Sequence, residues 1–198
     1  MKQTTEIRCS ENLKLRLLTN NDVEDIFEAI SAQRCYQGAW LTISNDNLRV
    51  EAKEYVKYVT EQKDNILDLI YVIEYDNVFA GLLGLQKIDN QNHKAEYTCW
   101  VQEKYQYLDI LAEASSKFIE HYFKDLKFNR LEIRATWDNI KVKDIARRFG
   151  FIEEGVEKQS QFIGDEKYKD VIIYGLLRHE YQTKLMFYRH STKLRTDI

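Results

Sequence analysis

Apolar residues recur along this chain with two periods, and the switch between them divides it into strands and helices. Leu13, Leu15 and Leu17 alternate with Lys14 and Arg16, the period-two pattern of a strand with one buried face. Thr19 to Asp22 then supply caps for a helix carrying Val23, Ile26, Phe27 and Ile30. Tyr36, Trp40 and Leu41 stand as apolar anchors among Gly38, Ser44 and Asn45, in a stretch read as an ordinary packed connection or as a lid over a substrate. Ala52, Tyr55, Val56 and Val59 mark one face of a second helix.

Leu67 to Tyr75 is an almost unbroken β-rich run, Asp76-Asn77 is a turn signal, and Val78 to Ile88 is a second run, so the three predict a hairpin. A second turn, Asp89 to Asn92, leads into a strand over Ala95 to Val101. Gln102 to Leu108 is polar, and Ile110, Leu111, Ala114, Phe118 and Tyr122 return at helical spacing. Arg130 to Thr136 alternates again, and the helix before it makes the connection a crossover, which predicts local parallel pairing with the meander. Asp138-Asn139 caps a short helix carrying Val142, Ile145, Ala146 and Phe149, with Gly150 as its stop. Strand-like Gly155 to Glu157 and Lys169 to Leu177 flank a turn at Gly164-Asp165. The pattern predicts an α/β (α+β) fold with a mixed, mostly antiparallel central sheet and helices on both faces.

The strand, loop and helix from Glu96 to Tyr122 have the layout of an anion cradle, because the first N–H groups of a helix lack partners and its dipole is positive there. Backbone approaches a pyrophosphate closely where no Cβ intervenes, yet no glycine occurs between Gly84 and Gly150. The loop reads Lys104-Tyr105-Gln106-Tyr107-Leu108-Asp109, with two rings and a carboxylate at the start of the helix.

Composition narrows the possibilities. A chain of 198 residues suits one domain with a real core, read as residues 1–182 with a basic C-terminal appendage over 183–198. A net charge of −3 supplies no global field for nucleic acid. Cys9, Cys35 and Cys99 are far apart and outside metal-ligand spacing, as are His93, His121, His179 and His190, so reduced thiols, a cytoplasmic location and no metal are expected. Apolar runs fall short of the ~18 residues of a membrane span, and Met1 to Ser10 lacks an apolar leader core.

The order of elements and several strings resemble the GNAT acetyltransferase superfamily, within it the RimJ/RimL branch of ribosomal-protein N-terminal acetyltransferases. The strings are Leu15-Arg16-Leu17-Leu18-Thr19, Ala80-Gly81-Leu82-Leu83-Gly84-Leu85, Asn92-His93-Lys94-Ala95-Glu96-Tyr97, Asn129-Arg130-Leu131-Glu132-Ile133, Phe149-Gly150-Phe151 with Glu154-Gly155, and Tyr174-Gly175-Leu176-Leu177-Arg178. The resemblance runs from about Leu13 to Tyr181. It implies a single GNAT-like domain whose sheet is splayed at the central strands, with acetyl-CoA in the split. Cys99, Trp100 and Val101 would bond the pantetheine arm through their backbone, and Lys104, Tyr105, Gln106, Tyr107, Leu108 and Asp109 would hold the pyrophosphate. Glu96 is the implied base, and Asn139 also belongs to the polar set of such a site. The family's two loop glycines fall at Tyr107 and Asp109, its serine near the thiol at Val142, and a glutamate of the RimL type at Gln161.

Three functions follow. One is acetyl-CoA-dependent N-acetyl transfer to a small-molecule amine or a protein N-terminus. The second is a catalytically silent GNAT fold used as a binding or regulatory protein, and the third is a GNAT enzyme using another acyl donor or another binding pose. An anion ~4 Å from the Asp109 carboxylate would be opposed by ~4 kcal/mol at an effective dielectric near 20, less with exposure and salt. That carboxylate could also cap the helix itself. Thirteen tyrosines, nine phenylalanines and three tryptophans, with Tyr105, Tyr107, Phe123, Phe162, Tyr168, Phe187 and Tyr188 at loops, helix ends or the tail, lead us to expect a homodimer or a protein partner.

Overall fold

The two apolar periods become strands and helices in a computed structural model that describes residues 4–32, 47–62 and 66–183. The anchors Tyr36, Trp40 and Leu41, with Cys35, lie outside the described residues, as does the basic appendage beyond Thr183. The described residues form two compact units. One runs to Asp89 and resumes over Tyr97–Leu126, and the other comprises Asn90–Glu96 and the chain from Lys127.

In the first unit the strands β1 (Glu6–Arg8), β2 (Leu13–Leu17), β3 (Leu69–Tyr75) and β4 (Val78–Asp89) lie side by side in chain order, followed by the second half of β5 (Lys94–Val101). Leu15 pairs with Ile73 and Tyr71 with Leu83, both antiparallel. Asp76 and Asn77 turn the β3–β4 hairpin at φ 50° and 61°, the left-handed pair of a two-residue loop whose twist suits the strands. Helices α1 (Val23–Ala32) and α2 (Leu48–Thr60) bury Ile26, Ala29, Ala52 and Val56 against Ile70, Val72, Phe79 and Leu82. Helix α3 (Ile110–Lys124) takes the other face, where the Phe118 ring lies 5.7 Å from Tyr71 and 6.0 Å from Tyr97, centroid to centroid. Period-two strands thus have an apolar partner on each side here, which is why β3 and β4 read as continuous apolar runs.

Arg16 ties the start of this unit together. Its guanidinium donates to both oxygens of Asp22 at 3.0 and 2.7 Å and to Glu74 at 2.7 Å. Asp22 also accepts from the Thr19 N–H at 2.8 Å, closing the turn that enters α1.

The second unit holds the first half of β5, then β6 (Arg130–Thr136), α4 (Ile140–Phe149), β7 (Ile152–Phe162) and β8 (Tyr168–Leu177). Its strand order is β5-β6-β8-β7, with Ile133 opposite Tyr174 and Val156 opposite Ile172, both antiparallel. Leu131, Ile133 and Ala135 are buried, and α4 supplies Ile145 and Ala146 to the same core. Asn139 caps α4 by accepting from the Val142 N–H at 3.2 Å, and Gly150 ends it at φ 79°. Strand β7 is longer than the expected Gly155 to Glu157. Its residues are mostly polar and exposed, so no apolar alternation announces it, and the apolar β8 beside it supplies the ladder. Residues 178–183 are helical.

Candidate functional site

Glycine at position 81 brings β4 against the end of β5. A Cβ there would strike the Trp100 carbonyl and lie 2.8 Å from the Val101 Cα. Gln102 continues the contact, its N–H donating to the Ala80 carbonyl at 2.8 Å and its side chain to the Phe79 carbonyl at 3.1 Å. Cys99, Trp100 and Val101 are therefore held as a strand end. Val101 is buried, and Trp100 is half-buried with its ring 6.3 Å from that of Phe79. Cys99 is half-buried, and desolvation pushes its thiol up to about 12, which keeps it protonated near neutrality and disfavours the thiolate. Behind it the Tyr97 hydroxyl and Ser115 Oγ share a hydrogen bond of 2.6 Å, and Ser115 donates to the Leu111 carbonyl at 2.5 Å, pinning the first turns of α3 to β5.

The loop that follows coils on itself. Residues Glu103–Tyr105 form a 3-10 turn, and the N–H groups of Tyr105, Gln106, Leu108 and Ile110 donate to the carbonyls of Gln102, Glu103, Tyr105 and Leu108. The Tyr105 ring is anchored edge-on to Tyr75 at 6.0 Å, with Lys104 Nζ 4.8 Å from its centroid. Tyr107 is 92% exposed, so its ring stands in solvent and not in the loop. Neither Tyr107 nor Asp109 is among the described residues with positive φ. The glycines expected at these positions are thus not required for the backbone path. Asp109 occupies the N-cap position of α3 with φ −67° and ψ 21°, but its side chain makes no capping hydrogen bond, which corrects the expectation that it satisfies the helix N–H groups. Ile110 and Glu113 bond backward to Leu108 and Asp109, and Leu111 and Ala112 lie in the first turn of α3, where a backbone N–H has no carbonyl four residues back within the helix.

The loop and β5 end, from Cys99 to Asp109, belong to the first unit, whereas Glu96 and Asn139 belong to the second. There Glu96 sits in a line of alternating charges. Its Oε2 lies 3.9 Å from Arg134 Nε, and Arg134 in turn forks onto Glu157, with Nη1 to Oε1 at 3.0 Å and a second bond from Nη2 to Oε2. One step along, Lys94 lies 3.8 Å from Glu132, which accepts from Arg130 at 2.7 Å, and Arg130 forks onto Glu154. The Glu157 bond holds the Arg134 guanidinium firmly charged. Val142 and Gln161, at the positions of the family's serine and RimL-type glutamate, lie in the first turn of α4 and near the end of β7.

Sequence reasoning singled out Glu96 but passed over Arg134 and Glu157. The signal was present: Arg130, Glu132 and Arg134 recur at period two opposite buried Leu131, Ile133 and Ala135, a charged face that calls for countercharges on neighbouring strands. Among the described residues no group of three or more His, Cys, Asp or Glu is arranged to hold a metal, and no helix is long and apolar enough to cross a membrane. Of the aromatics expected near the surface, Phe162 and Tyr168 are exposed and pair at 5.4 Å, Tyr105 is half-buried, and Phe123 is fully buried on α3. Phe187 and Tyr188 lie outside the described residues.

Residues 12–152 match the family described as "Acetyltransferase (GNAT) domain". The chain is 28% identical over 176 residues to the ribosomal-protein-serine acetyltransferase of Escherichia coli (strain K12), covering 86% of this chain and 96% of that protein. It is 26% identical over 127 residues to the spermidine N(1)-acetyltransferase of the same strain, covering 64% and 66%. The solved structure of RimL, a ribosomal L7/L12 alpha-N-protein acetyltransferase in complex with coenzyme A, superposes with a TM-score of 0.78 at 23% identity, covering 87% of this chain and 97% of that one, which shows a shared fold.

Proposed function

Because the chain belongs to the GNAT acetyltransferase family, we propose that it transfers the acetyl group of acetyl-CoA to the α-amine of a protein N-terminus. The observation that carries this reading is the run from Cys99 to Ile110. It keeps a strand end, a coiled loop and a helix N-terminus in sequence without needing a glycine backbone. The N–H groups of Leu111 and Ala112, with the positive end of the α3 dipole, suit a pyrophosphate. Lys104 adds a cation, and the exposed Tyr107 ring leaves the loop open. When bound, acetyl-CoA supplies an activated thioester carbonyl.

The chain's own contribution is to orient the donor and to move a proton. Backbone groups of Cys99 to Val101 would hold the donor's arm against β5. Glu96 would accept the proton that the incoming ammonium must lose, directly or through one water, a task worth ~10²-fold or more in rate. A half-buried Cys99 whose thiol is pushed up and stays neutral argues for direct attack by the amine over an acyl-cysteine relay.

A protein N-terminus fits better than a polyamine. On the charged face of the second unit Glu96, Glu132, Glu154 and Glu157 are paired with three cations, Lys94, Arg130 and Arg134, which leaves a surplus of one negative charge, little for a polycation. The E. coli relative named for ribosomal-protein serine supports the same acceptor class. The exposed Phe162 and Tyr168 suit a polypeptide partner, and such a partner would place the chain in the cytoplasm.

Calorimetry with acetyl-CoA and desulfo-CoA tests the donor, and mass spectrometry of a peptide beginning with serine, run beside spermidine, tests the acceptor. Binding followed by a single acetyl on the peptide α-amine is expected. Failure to bind either CoA compound would return the fold to a silent binding role, and acetylated spermidine with an untouched peptide would overturn the acceptor class.

A further inference from the structure

We propose that Arg134 is a positioning residue for the Glu96 carboxylate, and that Glu157 fixes Arg134 for this task. The inference rests on the reading of Glu96 as the proton acceptor. Arg134 extends from β6 between two carboxylates contributed by different strands, Glu96 of β5 and Glu157 of β7. Its terminal nitrogens donate to both Glu157 oxygens, and this two-point grip sets the plane of the guanidinium. Once that plane is set, the direction of Nε is set too, and it lies 3.9 Å from Glu96 Oε2.

That separation is longer than a hydrogen bond but still within the reach of an ion pair. Arg134 therefore attracts the Glu96 carboxylate toward one orientation without drawing on its lone pairs at hydrogen-bond range. A proton acceptor needs such an arrangement, because its oxygen must lie within about 3 Å of the departing proton's donor, or of one bridging water, when the amine arrives. The Glu96 side chain is 16% exposed, so it reaches solvent or an acceptor while remaining sheltered enough for the nearby charge to count. Glu157 sits opposite Val171, at the last regular pair before β7 shifts register, and this keeps its carboxylate over β8 and in reach of β6. The neighbouring cation Arg130 is committed to Glu132 and Glu154.

The full-length chain, acetyl-CoA and a serine-initiated peptide provide the test. Arg134→Gln should lower kcat about tenfold, as expected when a catalytic group loses its aim, with the KM for acetyl-CoA unchanged. Arg134→Lys should recover part of the loss, since it keeps the charge without the fork, and Glu157→Gln should show a smaller loss. The decisive measurement is the pair with Glu96→Gln. If Arg134 acts through Glu96, adding Arg134→Gln to Glu96→Gln costs nothing further. Multiplying losses in the double variant, or full activity of Arg134→Gln, would overturn the positioning role. Full activity of Glu96→Gln would instead overturn the reading of Glu96 itself, so the two failures are told apart. Should thermal melts show Arg134→Gln unfolded, Glu157→Gln combined with Glu96→Gln carries the same two outcomes.

Discussion

Arg130 and Glu154 clasp one another across an intervening strand, with Nη1 donating to Oε1 at 2.8 Å directly over Gly175 of β8. A Cβ on Gly175 would collide with Glu154 Oε1 and lie 2.7 Å from Arg130 Nη1. The absent side chain is what lets β6 and β7 exchange charges over the strand between them. Glu154 sits where the β7 register shifts between Glu153 and Gly155, and the bulge aims its carboxylate back over β8. The Arg130 bond holds Glu154 below the usual glutamate range.

Gly175→Ala should therefore displace the clasp and leave the backbone in place, because the colliding atoms are the ends of flexible side chains. The expected cost is below ~1 kcal/mol, the worth of a surface ion pair. Thermal melts should show that Glu154→Gln removes most of it, and equal destabilisation with and without Glu154 would contradict this account.

Gly81→Ala and Gly84→Ala should behave differently. Their Cβ atoms would meet backbone, 2.8 Å from the Val101 Cα and 2.9 Å from the Ile70 Cα respectively, and backbone inside a ladder cannot swing away. Each should cost ~2–3 kcal/mol by overpacking. Gly81→Ala should in addition weaken acetyl-CoA binding at a temperature where the protein stays folded, since it pushes on Trp100. Unchanged affinity in calorimetry would separate this strand end from the donor site.

Asp109→Asn should tighten CoA binding about tenfold at low ionic strength, with the gain shrinking as salt screens an exposed charge. Tyr107→Gly should leave affinity unchanged, as its ring is already in solvent. Calorimetry at two salt concentrations checks both, and a salt-independent effect would rule out the charge explanation.

Asp22 and Glu74 make stability depend on pH in the acid range. Burial alone would raise both carboxyls, but the Arg16 bonds, with the Thr19 N–H at Asp22 and Lys14 at Glu74, hold them below their usual values. A group whose folded pKa is depressed adds stability that is complete above its unfolded pKa, ~4, and is lost as pH falls through the lower folded value. Urea titrations should thus show stability falling below about pH 4. Arg16→Gln should cost ~3 kcal/mol at neutral pH, because Asp22 is 2% exposed and loses its countercharge, and should flatten that fall. An unaltered acid profile would assign the acid sensitivity to other carboxyls.

By itself the sequence determined the elements with an apolar face. The period-two run of β2, the Asp76-Asn77 hairpin, the α3 stripe ending in Phe118 and Tyr122, and the Asn139 and Gly150 limits of α4 were legible because burial, turn geometry and capping act within a few neighbouring residues. Glu96 and the Cys99 to Asp109 loop were singled out through a family pattern. The tertiary structure decided what depends on residues far apart in the chain. Strand β7 is polar and exists because β8 lies beside it, and the Tyr107 ring stands in solvent outside the loop. Arg134 could not be connected to Glu96 until three strands had been set in register, because the energy of a charge pair depends on separation in space and leaves no trace in the spacing along the chain.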